Sequence, residues 1–324
     1  MKLLKKTLLL NITIAACLTF PLFGSVPQTS EDLTDEQIRE YSNYYQKEHI
    51  GIENLKYFID GYPDITFTKK FDSTVKDWVI TVKVPKEKNK KQTFEFYWCD
   101  GKMLPKSELP NKDEYWSLFT YYPKDVRNPV TFTETERNLI RDFGRVSNRR
   151  DAKTTPVFFF NAIYDTATRV STENHIITIK FLDKYTNTHE YIVPALRRVE
   201  KKLIEESKTD KELYNFIHSF KSCDSYAWRS IEGTKIRSLH SLGIAIDFLP
   251  KDNHNKHLFW GWARDRYPED WMDTSLYWRW IPPQKFIDIF ESEGFIWGGK
   301  WVIWDNMHFE YRPEQLHYNQ DYNW

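Results

Sequence analysis

The chain has 324 residues, of which 40% are hydrophobic and 28% are charged, a composition typical of soluble globular proteins rather than disordered or membrane-embedded ones. Lys and Arg together number 46, and Asp and Glu also number 46, so no net charge attracts nucleic acid. No nucleic-acid recognition motif is present either, and we exclude that class of partner. The length fits one large domain or two ordinary ones.

The first 25 residues have the pattern of an export signal. Three lysines among the first six residues precede a mainly apolar run over residues 8–23, as in the charged and apolar regions of a secretory signal peptide. An uncleaved N-terminal anchor is the alternative, and the tetrapeptide IAAC resembles a lipoprotein box in which Cys17 would carry lipid. Each version predicts export to the periplasm or cell envelope, with membrane contact only through this segment.

Residues 26–150 are predicted to form an N-terminal β-rich region of unknown role. Two runs with the alternation of β-strands, residues 78–84 and 93–98, flank a charged turn. Helices are predicted before and after them, over residues 31–59 and 133–143. A polar, basic stretch around residue 150 marks the boundary of this region.

Residues 151–324 combine helices and strands, with the core of a domain at residues 190–315. The predicted elements are a strand at residues 176–181 and helices at residues 194–207, 213–220 and 283–293. Because the helices precede a small group of strands, the pattern predicts an α+β fold with helices packed on a small, mostly antiparallel sheet.

An aromatic insertion, residues 254–283, carries five Trp and two Tyr. These rings could form a groove wall that stacks on sugar or peptide groups, or they could pack as a small subdomain that covers the sheet. Packing is the favoured interpretation.

Two cysteines, Cys99 and Cys223, lie beyond the export segment. They could pair as a disulfide outside the cytoplasm or remain two buried thiols. Neither has CxxC spacing, so a metal site must depend on His and Asp.

The motif SLHSLGIAIDF places His240 and Asp247 seven residues apart. On one unbroken strand this odd separation would direct the two side chains to opposite faces. A turn at Ser241-Leu242-Gly243 is therefore expected, because glycine tolerates positive φ. Asp247 then lies on an apolar strand, where a buried carboxylate needs a partner. A metal ion would explain both residues.

A second motif, WDNMHFEY, contains His308 with Asp305 three residues before it. Taken alone, His308 fits a hydrogen-bonded core histidine and Asp247 fits a strand-end cap. Together, two imidazoles and one carboxylate are the ligand set of a catalytic zinc site, with Asp305 as general base for a zinc-bound water. Glu310 either orients a ligand or pairs with a nearby basic residue. Such sites accept other divalent metals as well.

The segments SLHSLGIAID and WDNMHFEYRPE resemble the signatures SxHxxGxAxD and (D/E)xxHFE of the zinc D-Ala-D-Ala carboxypeptidase and L-Ala-D-Glu endopeptidase family. These VanY-like peptidases share a fold with the hedgehog signalling domain. The resemblance covers residues 190–315, including GFIWGGKW before the second signature, and nothing before residue 155. It implies that His240, Asp247 and His308 bind Zn²⁺.

The same resemblance implies roles for four more residues. Asp305 takes the place of the catalytic acid/base, which is Glu in the carboxypeptidase branch and often Asp in the endopeptidase branch, so the bond that is cut stays open. Arg229 lies near the family's upstream Arg, which stabilises the developing oxyanion or binds substrate, and Arg237 is the alternative for that role. The two arginines could equally be surface residues or pair with Glu232. Ser238 matches a Ser that helps to hold the substrate.

Export together with this site predicts a peptidase that trims peptidoglycan stem peptides, whose D-amino acids ordinary proteases do not cut. D-alanyl-D-alanine carboxypeptidase activity is the leading interpretation, and L-Ala-D-Glu endopeptidase activity is the alternative. A non-catalytic, hedgehog-like zinc-binding module is the competing class, although Asp305 argues against it. Trp304 and neighbouring rings are expected to desolvate Asp305 and raise its pKa, which would make it a stronger base near neutrality.

Overall fold

The computed structural model describes residues 50–85, 91–150, 152–231 and 236–322. The predicted export segment with Cys17, and most of the helix predicted over residues 31–59, lie outside these ranges. Within them, no helix is long and apolar enough to cross a membrane.

A helix and a three-stranded sheet open the described chain. Three antiparallel strands follow the helix in the order β1-β2-β3. The bounds are α1 (Leu55–Gly61), β1 (Thr66–Asp72), β2 (Asp77–Pro85) and β3 (Lys91–Tyr97). The two predicted strands are confirmed as β2 and β3, because alternate residues of β2 are buried while their neighbours are not.

Two helices follow at the end of the predicted N-terminal region, α2 (Glu134–Gly144) and α3 (Val146–Arg150). The start of α2 has a capping box: the Thr133 hydroxyl accepts a hydrogen bond from the Glu136 amide, and the Glu136 carboxylate accepts one from the Thr133 amide. This capping box explains why the helix begins after Thr133, and the helix predicted over residues 133–143 is confirmed.

The next part of the chain alternates short helices, a β-hairpin and two longer helices. The antiparallel hairpin pairs β4 with β5, and β4 has the predicted bounds. The elements are α4 (Phe158–Tyr164), α5 (Arg169–Glu173), β4 (Ile176–Phe181), β5 (Lys184–His189), α6 (Val193–Glu206) and α7 (Lys211–His218).

A four-stranded sheet carries both sequence motifs. Its order is β6-β7-β9-β8, and every neighbouring pair is antiparallel. The elements are β6 (Phe220–Asp224), β7 (Ala245–Pro250), α8 (Trp260–Arg266), α9 (Gln284–Glu291), β8 (Phe295–Trp297), β9 (His308–Tyr311) and α10 (Pro313–Tyr322). The predicted α+β class with a small antiparallel sheet is therefore confirmed.

Four phenylalanines form the core against which the motif strands are fixed. Phe248 of β7 and Phe309 of β9 lie 5.7 Å apart between ring centroids. Phe290 of α9 lies 4.5 Å from Phe309 and 5.3 Å from Phe248, and Phe286 lies 5.2 Å from Phe248. All four are completely buried, so one face of these strands is anchored and the other is free for polar side chains.

The hydrophobic core continues across the predicted boundary at residue 150. One cluster of buried residues includes Phe58 of α1, Phe159 of α4 and Tyr318 of α10. A second cluster joins Ile140 of α2 to Trp271 of the aromatic insertion. Side chains from both sides of residue 150 therefore share a hydrophobic core. The division into two regions stays a prediction.

The structure adds local detail to both motifs. His240 lies in a 3₁₀ helix, Leu239–Leu242, rather than on a strand, because Ser238 caps that turn and Gly243 ends it. The second motif strand begins at His308, and a turn at Asn306 and Met307 precedes it.

The two described cysteines are free and buried. Cys99 follows β3, and Cys223 lies in β6, so the disulfide that the sequence left open is not formed in this structure.

Candidate metal centre

A tight turn brings the two residues of the first motif together. The Ser238 hydroxyl accepts a hydrogen bond from the His240 amide at 3.2 Å and thus begins the 3₁₀ helix. Gly243 ends it with a φ of 71°, in the left-handed region that favours glycine. The chain then enters β7, where Asp247 lies. The predicted turn is confirmed.

Strand register places the second motif beside the first. Asp247 and His308 are direct cross-strand partners in the β7–β9 pair, and Ala245 faces Glu310. Side chains opposite each other on one face of an antiparallel pair lie about 5 Å apart at their Cβ atoms. The sheet therefore holds a carboxylate and an imidazole side by side.

Three ligand-type atoms meet in a small triangle. His240 Nε2 lies 3.0 Å from His308 Nδ1 and 3.1 Å from Asp247 Oδ1, and His308 Nδ1 lies 2.8 Å from the same carboxylate oxygen. This trio is the one such group of His, Cys, Asp or Glu found among the described residues.

The outer hydrogen bonds direct the lone pairs of both rings toward one another. His240 Nδ1 lies 2.5 Å from the Ser225 carbonyl, which can only accept, so Nδ1 carries the proton and Nε2 the lone pair in the neutral ring. His308 Nε2 lies 3.0 Å from Glu310 Oε1, so Nδ1 carries its lone pair. With both rings neutral, three electron pairs converge, and either a proton or a metal ion at that position would relieve their repulsion.

Protonation of His308 is the alternative to a metal. Burial alone would lower the pKa of His308, but hydrogen bonds to Asp247 and Glu310 outweigh it and raise that pKa well above its ordinary value. Burial alone would likewise raise the pKa of Asp247, and the two histidines reverse this and lower it strongly. A metal ion and a proton therefore compete for one position.

Asp305 lies in the turn before β9 and faces the same cavity as the triangle. Its Oδ1 atom is buried and accepts no hydrogen bond within the described part of the chain. Burial raises the pKa of Asp305 to about 7, to which the charges of Asp247 and Glu310 contribute. The predicted direction of the shift is confirmed.

The cavity in front of the triangle has a volume of about 350 Å³. Besides the motif residues, it is lined by aromatic rings of the insertion and of the following loop, namely Phe259, Trp260, Trp262 and Trp301. Trp262 is 50% exposed, whereas Trp260 is buried. The insertion therefore both packs against the sheet and forms a wall of the cavity, so each interpretation describes part of it.

The candidate substrate residues differ in how freely they can act. Arg237 donates from all three guanidinium nitrogens, to Ser241 Oγ, Asn161 Oδ1 and the Thr166 carbonyl. Arg229 lines the cavity and is exposed, and no described residue pairs with its guanidinium. Arg229 is thus an exposed residue of the cavity wall, while Arg237 holds the 3₁₀ turn against α4.

Two further residues were not found from the sequence. Ser225 matters through its backbone carbonyl, which no side-chain pattern reveals. Arg149 of α3 lines the cavity although it lies 91 residues before His240 in the chain. The basic stretch that contains Arg149 was interpreted as a domain boundary. The local sequence does not show that α3 packs beside Trp260.

Comparison with known families supports the motif assignment. Residues 232–311 match the family model described as D-alanyl-D-alanine carboxypeptidase. Residues 54–120 match one described as a domain of unknown function (DUF8518). No curated protein and no solved structure matches the chain. The family resemblance predicted from the two motifs is confirmed over residues 232–311, where the chain is similar to this peptidase family.

Proposed function

We propose that this protein is an exported, zinc-dependent peptidase that hydrolyses peptidoglycan stem peptides as a D-alanyl-D-alanine carboxypeptidase. The observation that carries the proposal is the convergence of three lone pairs, from His240, His308 and Asp247, at the edge of a cavity that also contains Asp305. The description of the matching family supports the choice of substrate.

The donor set fits zinc. Nitrogen and oxygen ligands at ~2.0–2.2 Å in a tetrahedral arrangement lie roughly 3.3 Å apart, slightly wider than the 2.8–3.1 Å of the triangle. A small outward movement of the three side chains would therefore accommodate the ion. When bound, zinc supplies Lewis acidity, which lowers the pKa of a coordinated water and polarises a substrate carbonyl.

Asp305 is proposed as the general base and acid. Its carboxylate would accept a proton from the attacking water and return it to the leaving amine. The positive charge of a bound ion would lower its pKa from the value near 7, so the carboxylate would be ionised at neutral pH. The free Oδ1 atom is available for this proton because no described side chain occupies it.

Arg229 and Ser238 are proposed as substrate contacts. A guanidinium beside the scissile carbonyl stabilises the negative charge that develops on its oxygen. The Ser238 hydroxyl already accepts a hydrogen bond from the His240 amide, and its own proton remains available to a substrate. The aromatic rings beside them would exclude water from the bound peptide.

Mass spectrometry of a muropeptide digest that contains pentapeptide stems tests the proposal, with and without a chelator. We expect loss of one terminal Ala that stops when the chelator is added. Cleavage after the first L-Ala would instead assign the L-Ala-D-Glu endopeptidase activity. Absence of any cleavage by protein that holds one zinc would reject the enzyme and favour a non-catalytic binding module.

The Asp305→Asn variant is the matched control for this assay. The amide keeps the shape of the side chain but cannot accept the proton, so turnover should fall about 10²- to 10⁴-fold while one zinc per chain is retained. Zinc content measured on the same sample distinguishes the two roles. Loss of metal together with activity would identify Asp305 as a ligand.

A further inference from the structure

Four guanidinium groups line the cavity, those of Arg149, Arg229, Arg237 and Arg312. Two are committed to the fold: Arg237 donates to three neighbours, and Arg312 is paired with Glu314. Arg229 is exposed, so water solvates its charge. Arg149 remains as the buried cation of the cavity wall.

Arg149 is held by aromatic rings instead of by an acid. The residue is only 9% exposed, and its guanidinium carbon lies 5.0 Å from the ring centroid of Trp260 and 5.6 Å from that of Phe143. No described residue forms an ion pair or a side-chain hydrogen bond with it. Burial, and the nearby charge of Arg264, lower the pKa of Arg149 to about 10, as expected for a cation without a counter-ion.

Arg264, which contacts the same tryptophan ring, has an acidic partner. Its guanidinium carbon also lies 5.0 Å from the Trp260 ring centroid, but it is paired with Asp265 at 2.7 Å and donates to the Gly144 carbonyl at 3.1 Å. It is absent from the described lining of the cavity. The two arginines share a ring, and only the one that faces the cavity lacks an anion.

We propose that Arg149 binds a carboxylate of the peptide substrate and thereby determines specificity for acidic peptides. The buried guanidinium presents its donors in a planar fork that fits a carboxylate, and an incoming anion would replace the hydration that burial has removed. This inference rests on the proposed function, since it assumes that a peptide occupies the cavity in front of the triangle.

The position of Arg149 adds a second consequence. The residue belongs to α3, outside residues 232–311 that match the carboxypeptidase family. The family segment thus contains the triangle and Asp305, while the preceding part of the chain supplies this recognition group. Substrate choice would then be set partly by a segment that the family model does not include.

Binding of three stem pentapeptides tests this proposal. One carries both free carboxylates, one has an amidated C-terminus, and one has the α-carboxylate of D-Glu amidated; the latter two separate the possible sources of the anion. Binding is followed by tryptophan fluorescence, which Trp260 should report. The measurement uses Asp305→Asn protein, whose turnover is expected to be about 10²- to 10⁴-fold slower. Amidation of the carboxylate that Arg149 binds should weaken binding about 10- to 100-fold.

Arg149→Met should weaken binding of the doubly acidic peptide by the same factor and abolish the difference between it and the relevant amide. Arg149→Lys should restore part of that difference, because the charge is kept and the fork is lost. Arg264→Met, the matched control beside the same ring, should keep the full difference. Thermal unfolding of each variant verifies that it folds.

An acid-to-amide preference that persists unchanged in Arg149→Met overturns the proposal, as does equal binding of all three peptides by the parent protein. Failure of the proposed function has a different signature. In that case the enzyme with Asp305 intact would cleave none of the peptides. Failure of the Arg149 proposal alone would leave cleavage present, with a response to amidation that Arg149→Met does not change.

Discussion

At the metal centre, the partner on the outer side of each imidazole decides which nitrogen can bind a cation. The Ser225 carbonyl does this for His240, and the Glu310 carboxylate does it for His308. Of the two alternatives for Glu310 raised from the sequence, the hydrogen bond to His308 supports the orienting role. Its ion pair with Arg312 is longer, at 3.9 Å.

Glu310→Met should weaken zinc affinity about 10- to 100-fold, because His308 then loses the acceptor that fixes its tautomer. Glu310→Gln should have an intermediate effect, since the amide oxygen still accepts from Nε2. Competition with a zinc-binding dye measures both. Glu269→Met, at an exposed glutamate, is the control, and equal affinities in all four proteins would contradict the orienting role.

Asp305 should make the stability of the metal-free protein depend on pH. Burial raises its pKa from 3.8 to about 7, so between these values the folded chain binds a proton that the unfolded chain has lost. Stability is therefore greatest below about pH 4 at this site and falls as pH rises toward 7, by roughly 1.4 kcal/mol per unit. Asp305→Asn should remove this slope.

Urea unfolding with chelator at pH 4.5, 5.5 and 6.5 would measure the effect. The difference between the two proteins isolates Asp305 from His308, whose proton is also retained on folding. Parallel curves for the parent and the variant would show that Asp305 is already ionised in the folded chain.

Among the elements, the turn at Gly243 fixes the position of His240 relative to Asp247, because it joins the 3₁₀ helix of His240 to the strand of Asp247. A Cβ at Gly243 would lie 2.6 Å from Ile176 Cδ1 and 2.9 Å from the His189 amide nitrogen. Gly243→Ala should cost about 1–3 kcal/mol of stability and also weaken zinc binding.

Gly294→Ala provides the comparison for this prediction. Gly294 has a φ of 93°, and its Cβ would lie 2.9 Å from Tyr311 Cε2, so the backbone strain is similar. It does not separate two ligands, and zinc affinity should stay unchanged. Thermal unfolding and dye competition measure both variants; similar zinc losses would show that global strain, not the turn, controls the site.

Periodicity predicted β2 well, since buried residues alternate with more exposed ones along its second half. The motifs identified His240, Asp247 and His308 because ligand type and spacing are local properties. For His240 the motif indicated only a turn at residues 241–243, because a single 3₁₀ turn is too short to leave a periodic pattern in the sequence. Arg149 was missed because its environment depends on the packing of α3 on the insertion, which residues distant in sequence create.

At the scale of the whole molecule, the N-terminal region packs against the segment that follows β9. The Tyr62 hydroxyl donates to Glu314 at 2.8 Å, and Arg312 Nη2 donates to the Leu118 carbonyl at 2.5 Å. Phe119 stacks on Tyr318 with centroids 4.6 Å apart. The segment that matches the domain of unknown function therefore contributes partners to buried groups just after β9.

A chain that begins at residue 151 should lose cooperative unfolding, because these contacts vanish and large aromatic surfaces become exposed. Circular dichroism during heating would measure this, with a chain that begins at residue 50 as the control. Cooperative unfolding and unchanged zinc affinity of the shorter chain would instead establish residues 151–324 as an independent domain.

The labelling rates of the two buried thiols, Cys99 and Cys223, can report how often their surroundings open. Burial raises the pKa of both Cys99 and Cys223 to about 12, so at pH 8 only about one thiol in ten thousand is the reactive thiolate. An alkylating reagent can therefore modify either residue only when its surroundings open. Cys99 follows the N-terminal sheet and Cys223 lies in the motif sheet, so their separate labelling rates distinguish concerted opening from independent opening of the two sheets.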